Sequence, residues 1–303
     1  MARKAKGARL LSDLHKIDGG EAELLRDADR DGGWMLCVGG VPQSYVDLTD
    51  PTYLDFEYMR LIGDVVDCMD ADVNADPNAG QGAGQGAVPR ALDAVHIGGA
   101  GCTLPRYIAA TRPGSRQVVF EPDGELVRLV RERLPLRRVP GVKIRITDGR
   151  SGTAALADQV DDLVVMDAFA AASMPVELAT REFALEAARV LRPGGVYLMN
   201  VADGFRLTFS RRVVATVRSV FRHVLLLGEP GVLRGRRFGN LIVAASRRPL
   251  PTGELTRRAA GGAFPARLMT GDELAGFCAG AAPLRDGEPV EAPVPPPQVF
   301  GRS

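Results

Sequence analysis

Between residues 91 and 250, short apolar runs alternate with stretches of helical period, and the runs carry few charges. Strands of that kind are covered by helices on both faces, and the alternation is that of a parallel sheet wound with helices. Seven strands are predicted, centred on Val95, Val119, Ile144, Val165, Leu198, Leu225 and Val243, with helices over 125–133, 176–191 and 205–220 among them. Pro193-Gly194-Gly195 reads as the stop of the helix before the fifth strand, because glycine supplies a left-handed cap and the prolyl ring blocks propagation. Residues 1–73 show a strand pattern at 34–38, a Gly39-Gly40 turn, an alternating stretch at 44–48 and a helix at 58–69, which together predict a small β layer followed by one helix. The stretch NADPNAGQGAGQGAVPR, residues 74–90, has almost nothing to bury and reads as a flexible linker. In the last zone, 251–303, Thr270 is positioned to cap an amphipathic helix with Asp272 and Glu273 in its first turn, and PVPPPQVF reads as an extended, disordered tail.

Composition narrows the partners rather than the fold. A chain of 303 residues with 46% apolar residues can bury a full core, and a formal net charge of +1 gives no field to draw in nucleic acid or an anionic membrane. No apolar run reaches membrane-span length and no secretory leader pattern is present, so a cytoplasmic setting is expected. Cys37, Cys68, Cys102 and Cys278 lack paired spacing and read as reduced thiols. His15 and His223 have no partners at ligand spacing and His96 falls inside a strand as a hydrogen-bonded core residue, so no metal site is assigned.

Candidate chemistry collects at the strand tips. Gly98-Gly99-Ala100-Gly101 follows the first strand of the alternating region, where open parallel sheets bind ligands and bare backbone lets a molecule approach closely. A dinucleotide frame starting at Gly99 ends on Leu104 instead of glycine, which weakens that reading. Glu121 stands at the tip of the second strand, about twenty residues on, where a carboxylate can accept both hydroxyls of a ribose. Asp148 and Asp167 follow the third and fourth strands. Acids on three successive tips are unexpected for buried strand ends, since unpaired carboxylates are costly to desolvate.

This arrangement resembles the class I S-adenosylmethionine-dependent methyltransferase fold: α/β, a seven-stranded Rossmann-like sheet, here with a small N-terminal β layer. Within that fold the chain resembles the spermidine synthase (aminopropyltransferase) family over roughly residues 43–246. IGGAGCTLPRY is similar to the family's glycine motif, with Arg106 on its arginine; FEPD is similar to its V-E-I-D, TDGR to its G-D-G segment, and VVMDAFAAASMPVELATREF to the segment around its catalytic Asp. PQSYVDL and FEYMR resemble its glutamine-bearing strand and its Y-H-E or Y-Q-E helix signature.

The resemblance implies that Gln43, Gly98, Gly99, Ala100, Gly101, Glu121, Asp148 and Gly149 bind the donor. Glu121 would take the ribose with Asp123 as its companion acid, and Asp148 and Gly149 the adenine. Asp167 would accept the amine proton and Tyr58 would orient the nucleophile. From the residues alone, Asp167 could also be a strand-end cap and Tyr58 a core aromatic. The implied donor is decarboxylated S-adenosylmethionine, or S-adenosylmethionine itself; the implied acceptor is an amine or another small molecule, and a homodimer built through the β layer is expected.

Departures fall on the amine side, where Gly101, Met59, Arg60 and Ala170 stand in place of residues that touch cationic groups. Two other readings follow. Arg60 or Arg106 could pair with the carboxylate of intact S-adenosylmethionine, giving a methyltransferase, or the chain could be a noncatalytic nucleoside-binding scaffold. The cluster LRGRRFGN, residues 233–240, reads as a solvated hairpin turn, or as a basic rim on the acceptor pocket.

Overall fold

Gly39 and Gly40 both take positive φ (56° and 75°), the left-handed pair that a two-residue hairpin turn requires. They join β3 (Gly33–Val38) to β4 (Val41–Asp47), with Val38 opposite Val41. The structure is a computed structural model that describes residues 13–71, 89–99, 101–170 and 173–296. Ahead of that hairpin lie two strands the hydrophobic pattern did not predict, β1 (Asp13–Ile17) and β2 (Gly20–Arg26), and the four pair antiparallel in the order β1-β2-β3-β4. α1 (Glu57–Asp67) follows, with a 3₁₀ turn at Cys68–Asp70. The linker region 74–90 lies outside the described residues except for its last two.

The second sheet has eight strands in the order β12-β10-β11-β9-β8-β5-β6-β7. Its members are β5 (Asp93–Ile97), β6 (Arg116–Glu121), β7 (Val142–Ile146), β8 (Asp161–Met166), β9 (Leu191–Asp203), β10 (His223–Gly228), β11 (Gly239–Ser246) and the short β12 (Arg267–Met269). All seven predicted strands are present, and β12 extends the edge. β5 to β9 are parallel, whereas β11 runs antiparallel to both β9 and β10. Strand order reverses between β5 and β8, so the carboxyl ends of β5, β6 and β8 flank the switch point at which open α/β sheets take ligands.

Helices cover both faces. α2 (Thr103–Thr111), α3 (Gly124–Arg133), α4 (Gly149–Ala154), α5 (Arg181–Val190), α6 (Thr208–Arg218), α7 (Pro230–Leu233), α8 (Thr252–Gly261) and α9 (Gly271–Phe277) follow α1 in the chain. One core cluster joins α5, α6 and α9 to the odd residues of β9, including Met199 and Val201, and to Val164 and Met166 of β8. The other joins Ile62, Val65 and Val66 of α1 to Val196 and Leu198 of β9 and to Leu163 and Val165 of β8. Burying each such aliphatic side chain stabilises the fold by roughly 1.5–3 kcal/mol. A third cluster seats Ile17, Leu24, Leu36 and Val46 of the small sheet on Leu126, Leu129 and Val130 of α3.

Several expectations change. The 176–191 stretch divides into a 3₁₀ turn at Val176–Leu178 and α5, whose N-cap Thr180 accepts from the Phe183 amide (3.4 Å). Pro193-Gly194-Gly195 does not cap α5: that helix ends at Val190, Leu191 is already extended, and the triplet lies within β9 with neither glycine at positive φ. A Cβ on Gly195 would sit 2.8 Å from Leu191 Cδ2 and 3.0 Å from the Asp162 carbonyl, so close strand packing is what requires the glycine. Thr270 holds the N-cap position of α9, yet its hydroxyl donates to the Val224 carbonyl instead of the helix. Of the proline-rich tail Pro295 is buried and Ala292 just before it belongs to the main core, whereas Val294 and Pro296 are exposed and residues 297–300 lie outside the described residues. His96 is a buried, hydrogen-bonded core residue, its Nε2 2.9 Å from Gln117 Oε1. No described helix is long and apolar enough to cross a membrane.

Candidate active site

The glycine loop is bound into the switch point by its backbone. The Gly98 amide donates to the Phe120 carbonyl (2.9 Å) and the Asp167 amide to the Ile97 carbonyl (2.9 Å), which ties together the tips of β5, β6 and β8. Gly98 takes φ +77°, and a Cβ there would lie 2.5 Å from the Asp167 carbonyl oxygen. The Gly99 amide donates to Glu121 Oε2 (3.3 Å), so the Glu121 carboxylate turns toward the loop and not away from it. The Gly101 amide donates to Ser44 Oγ (3.1 Å). Ala100 lies outside the described residues. Gln43 precedes Ser44 at the point where the β3–β4 register shifts, between Leu36↔Ser44 and Cys37↔Pro42. Such bulges re-aim side chains and recur beside active sites.

Asp167 and Tyr58, far apart in the chain, meet here. The Tyr58 hydroxyl and the Asp167 carboxylate are close enough to act on each other's titration, and Asn200 Nδ2 donates to Asp167 Oδ1 (2.8 Å). Burial pushes the Asp167 carboxyl up to about 6, and the Asn200 hydrogen bond and the nearby Tyr58 hydroxyl pull against that rise. Burial likewise raises the Tyr58 phenol, helped by the neighbouring carboxylate. A carboxylate poised near neutrality and ordered by an amide donor is suited to take up a proton. Sequence reasoning missed Asn200 and also Asn240, whose Nδ2 donates to Asn200 Oδ1 (2.9 Å). The signal was present: each is a lone amide in an apolar strand, and buried polar groups seek partners.

Asp123 and Asp148 have other work. Asp123 caps α3 through the Leu126 amide (2.7 Å) and accepts the Gly19 amide (2.7 Å) and the Asp18 amide (3.2 Å) from the β1–β2 turn. Its carboxylate is therefore committed to the fold, which corrects its expected part as companion acid on the ribose. Asp148 caps α4, accepting from the Ser151 amide (2.8 Å), and that bond holds its carboxyl below the usual range. It remains exposed at the tip of β7, and Gly149 begins α4 with its Cα against Ile97 and Leu178.

The two arginines offered to a donor carboxylate are also committed. Arg106 is buried and donates to the carbonyls of Gly101 (3.2 Å) and Leu134 (2.7 Å). Arg60 donates to the Leu54 carbonyl and lies 5.1 Å from the Phe264 ring centroid. The methyltransferase reading thus loses the side chains on which it stood. The arginine-rich stretch follows α7 and forms the turn of the antiparallel β10–β11 hairpin, as expected; Arg237 pairs with Glu229 (2.7 Å) and Glu57 (3.7 Å), the latter adjoining Tyr58. Arg236 lines a cleft of about 740 Å³ with Phe205 and Phe238. Among the described residues no cluster of His, Cys, Asp and Glu could hold a metal ion.

The sheet order and the glycine loop beside a strand-tip acid define the class I S-adenosylmethionine-dependent fold. A scan of protein-family models finds no match. The chain is 32% identical to a probable spermidine synthase from Corynebacterium glutamicum of known structure, with a TM-score of 0.80 over 93% of this chain and 99% of that one. The spermidine synthase of Thermotoga maritima shares the fold, with a TM-score of 0.55 at 16% identity over 88% of this chain and 83% of that one. The polyamine aminopropyltransferase of Nitrosomonas europaea is 30% identical over 133 residues, a match spanning 41% of this chain and 38% of that protein. The chain belongs to the spermidine synthase family, whose members are transferases.

Proposed function

We propose that the protein transfers an aminopropyl group from decarboxylated S-adenosylmethionine to an amine. The observation that carries this reading is the Tyr58–Asp167 pair, held on the same face of the sheet as α1 and beside the glycine loop. The adenosine would lie against Gly98 to Gly101, with Gln43, Asp148 and Gly149 at its edges and its ribose on Glu121. The neutral amine attacks the carbon next to the sulfonium, the carbon–sulfur bond breaks with its electron pair going to sulfur, and methylthioadenosine leaves. The proton released from the new ammonium goes to Asp167, while Tyr58 orients the attacking nitrogen. Alignment of two bound reactants can supply roughly 7–11 kcal/mol of the barrier, and a placed base about 10²–10⁴-fold more.

The acceptor differs from a simple polyamine. Met59 is buried, Gly101 faces Ser44 and Val46, and Ala170 bridges to Ser173, so none of these positions offers a cationic amine a carboxylate. The test incubates purified protein with labelled decarboxylated or intact donor and a mixture of amines, with products read by mass spectrometry. An aminopropylated amine with methylthioadenosine is expected from the first donor only; a methylated product from the second overturns the proposal. The proposal extends to a homodimer acting in the cytoplasm, and sedimentation velocity reads the assembly state.

A further inference from the structure

The geometry points to Asn240 as a positioning residue that acts on Asp167 through Asn200. Three strands bring the side chains into line. Met166 pairs with Met199 across β8 and β9, which sets Asp167 level with Asn200. Across β9 and β11, Ala202 pairs with Asn240 and Asn200 with Ile242, so the two amides meet diagonally on the α1 face. Asn240 Nδ2 donates to Asn200 Oδ1 (2.9 Å), and Asn200 Nδ2 donates to Asp167 Oδ1 (2.8 Å).

A side-chain amide has one donating and one accepting end, so the neighbour on one end decides what the other offers. Held by Asn240 at its oxygen, Asn200 can present only its NH₂ to the carboxylate, and an N–H donor stabilises the ionised form. With Asn240 replaced by an apolar side chain, Asn200 is free to turn over and present its oxygen, which suits only the protonated acid. Asn200 is buried at 1% exposure, so no bulk water competes for its orientation.

Other charged groups around Asp167 are accounted for. From α1 comes Tyr58, whose hydroxyl favours the ionised carboxylate; Glu57 turns outward to Arg237. From β6, Glu121 accepts the Gly99 amide, and Arg237, from the turn before β11, pairs with Glu229. Asn200 and the Tyr58 hydroxyl thus oppose the effect of burial on the carboxylate, and Asn240 governs the first.

This role serves the proposed transfer step, but its test involves no turnover. Carbon-detected NMR of ¹³C-labelled protein follows the aspartate carboxyls across pH, with Asp167→Asn identifying the resonance. In the wild type the Asp167 midpoint is expected near 6. Asn240→Leu should raise it by about one unit, a tenfold gain in proton affinity, and Asn240→Gln, which keeps a donor, should return it most of the way. Asn240→Ala gives the same reading if the leucine variant folds poorly. Midpoints in the Leu and Ala variants that match the wild type overturn the assignment, whatever happens to thermal stability. Because no substrate enters, an unmoved midpoint leaves the transferase proposal standing, and failure to turn over amines leaves this one standing.

Discussion

Replacing Gly98 with alanine tests the idea that the glycine loop is dictated by the approach of two strand tips. Gly98 sits at φ +77°, and an added Cβ would stand 2.5 Å from the Asp167 carbonyl oxygen and 2.7 Å from Ala168 Cα. Both are backbone atoms and cannot swing aside. An L-residue in the left-handed region costs about 1–2 kcal/mol, and forcing apart a packed contact adds about 1–3 kcal/mol, so Gly98→Ala should cost roughly 2–5 kcal/mol. The control is Gly39→Ala at φ +56°, where nothing lies within 4 Å of the added carbon and only the backbone term of about 1–2 kcal/mol applies. Urea unfolding of the three proteins followed by circular dichroism gives the differences from midpoints at constant slope. Gly98→Ala should also lower turnover beyond its effect on the folded fraction, since the displaced atom belongs to Asp167. Equal losses for the two variants, within about 0.5 kcal/mol, would refute the reasoning.

Further outcomes follow from the same geometry. Asp167→Asn should abolish transfer, and it should alter how stability depends on pH. The folded-state value of about 6 lies above the ordinary 3.8, so this group's stabilising contribution is complete below the lower value and is lost as pH rises through the higher. The asparagine variant escapes that loss, and by thermal unfolding it should gain on the wild type between about pH 4 and pH 7 by at most roughly 3 kcal/mol. Glu121→Gln should weaken methylthioadenosine binding by about tenfold or more in calorimetry, since a neutral amide is a poorer acceptor for two hydroxyls; unchanged affinity would remove Glu121 from the ribose site. Arg106→Leu should cost about 1–3 kcal/mol by orphaning the Gly101 and Leu134 carbonyls. It should leave the preference between carboxylated and decarboxylated donors unaltered in a competition assay.

The large sheet was legible because its strands are nearly all apolar, and β8, buried at every position, could scarcely be read otherwise. β1 and β2 escaped notice because their sequences, DLHKI and GEAELLR, place charges on an exposed face and leave only Ile17, Ala22 and Leu24 to the core. Pro193-Gly194-Gly195 carries a helix-stop composition whose glycines serve strand packing, a distinction that only the third dimension supplies. At the site, Tyr58 and Asp167 were identified through family resemblance, since nothing local in FEYMR announces a partner more than a hundred residues away. Asp123 and Asp148 each directly precede a helix, the position where a carboxylate most often caps, and the sequence does not separate that cap from a ligand acid. Asn200 and Asn240 required knowledge of strand register, because their meeting is diagonal across two antiparallel strands.

The seam between the small sheet and α3 sets where the crevice can flex. Asp123 accepts amides from the β1–β2 turn while Asp18, in that turn, accepts the Gly124 amide (2.9 Å). Swinging the β-meander outward would strand those donors together with the first turn of the helix that follows Glu121, at about 1–3 kcal/mol for each left dry. The meander and the tip of β6 that carries Glu121 are therefore held together as one block.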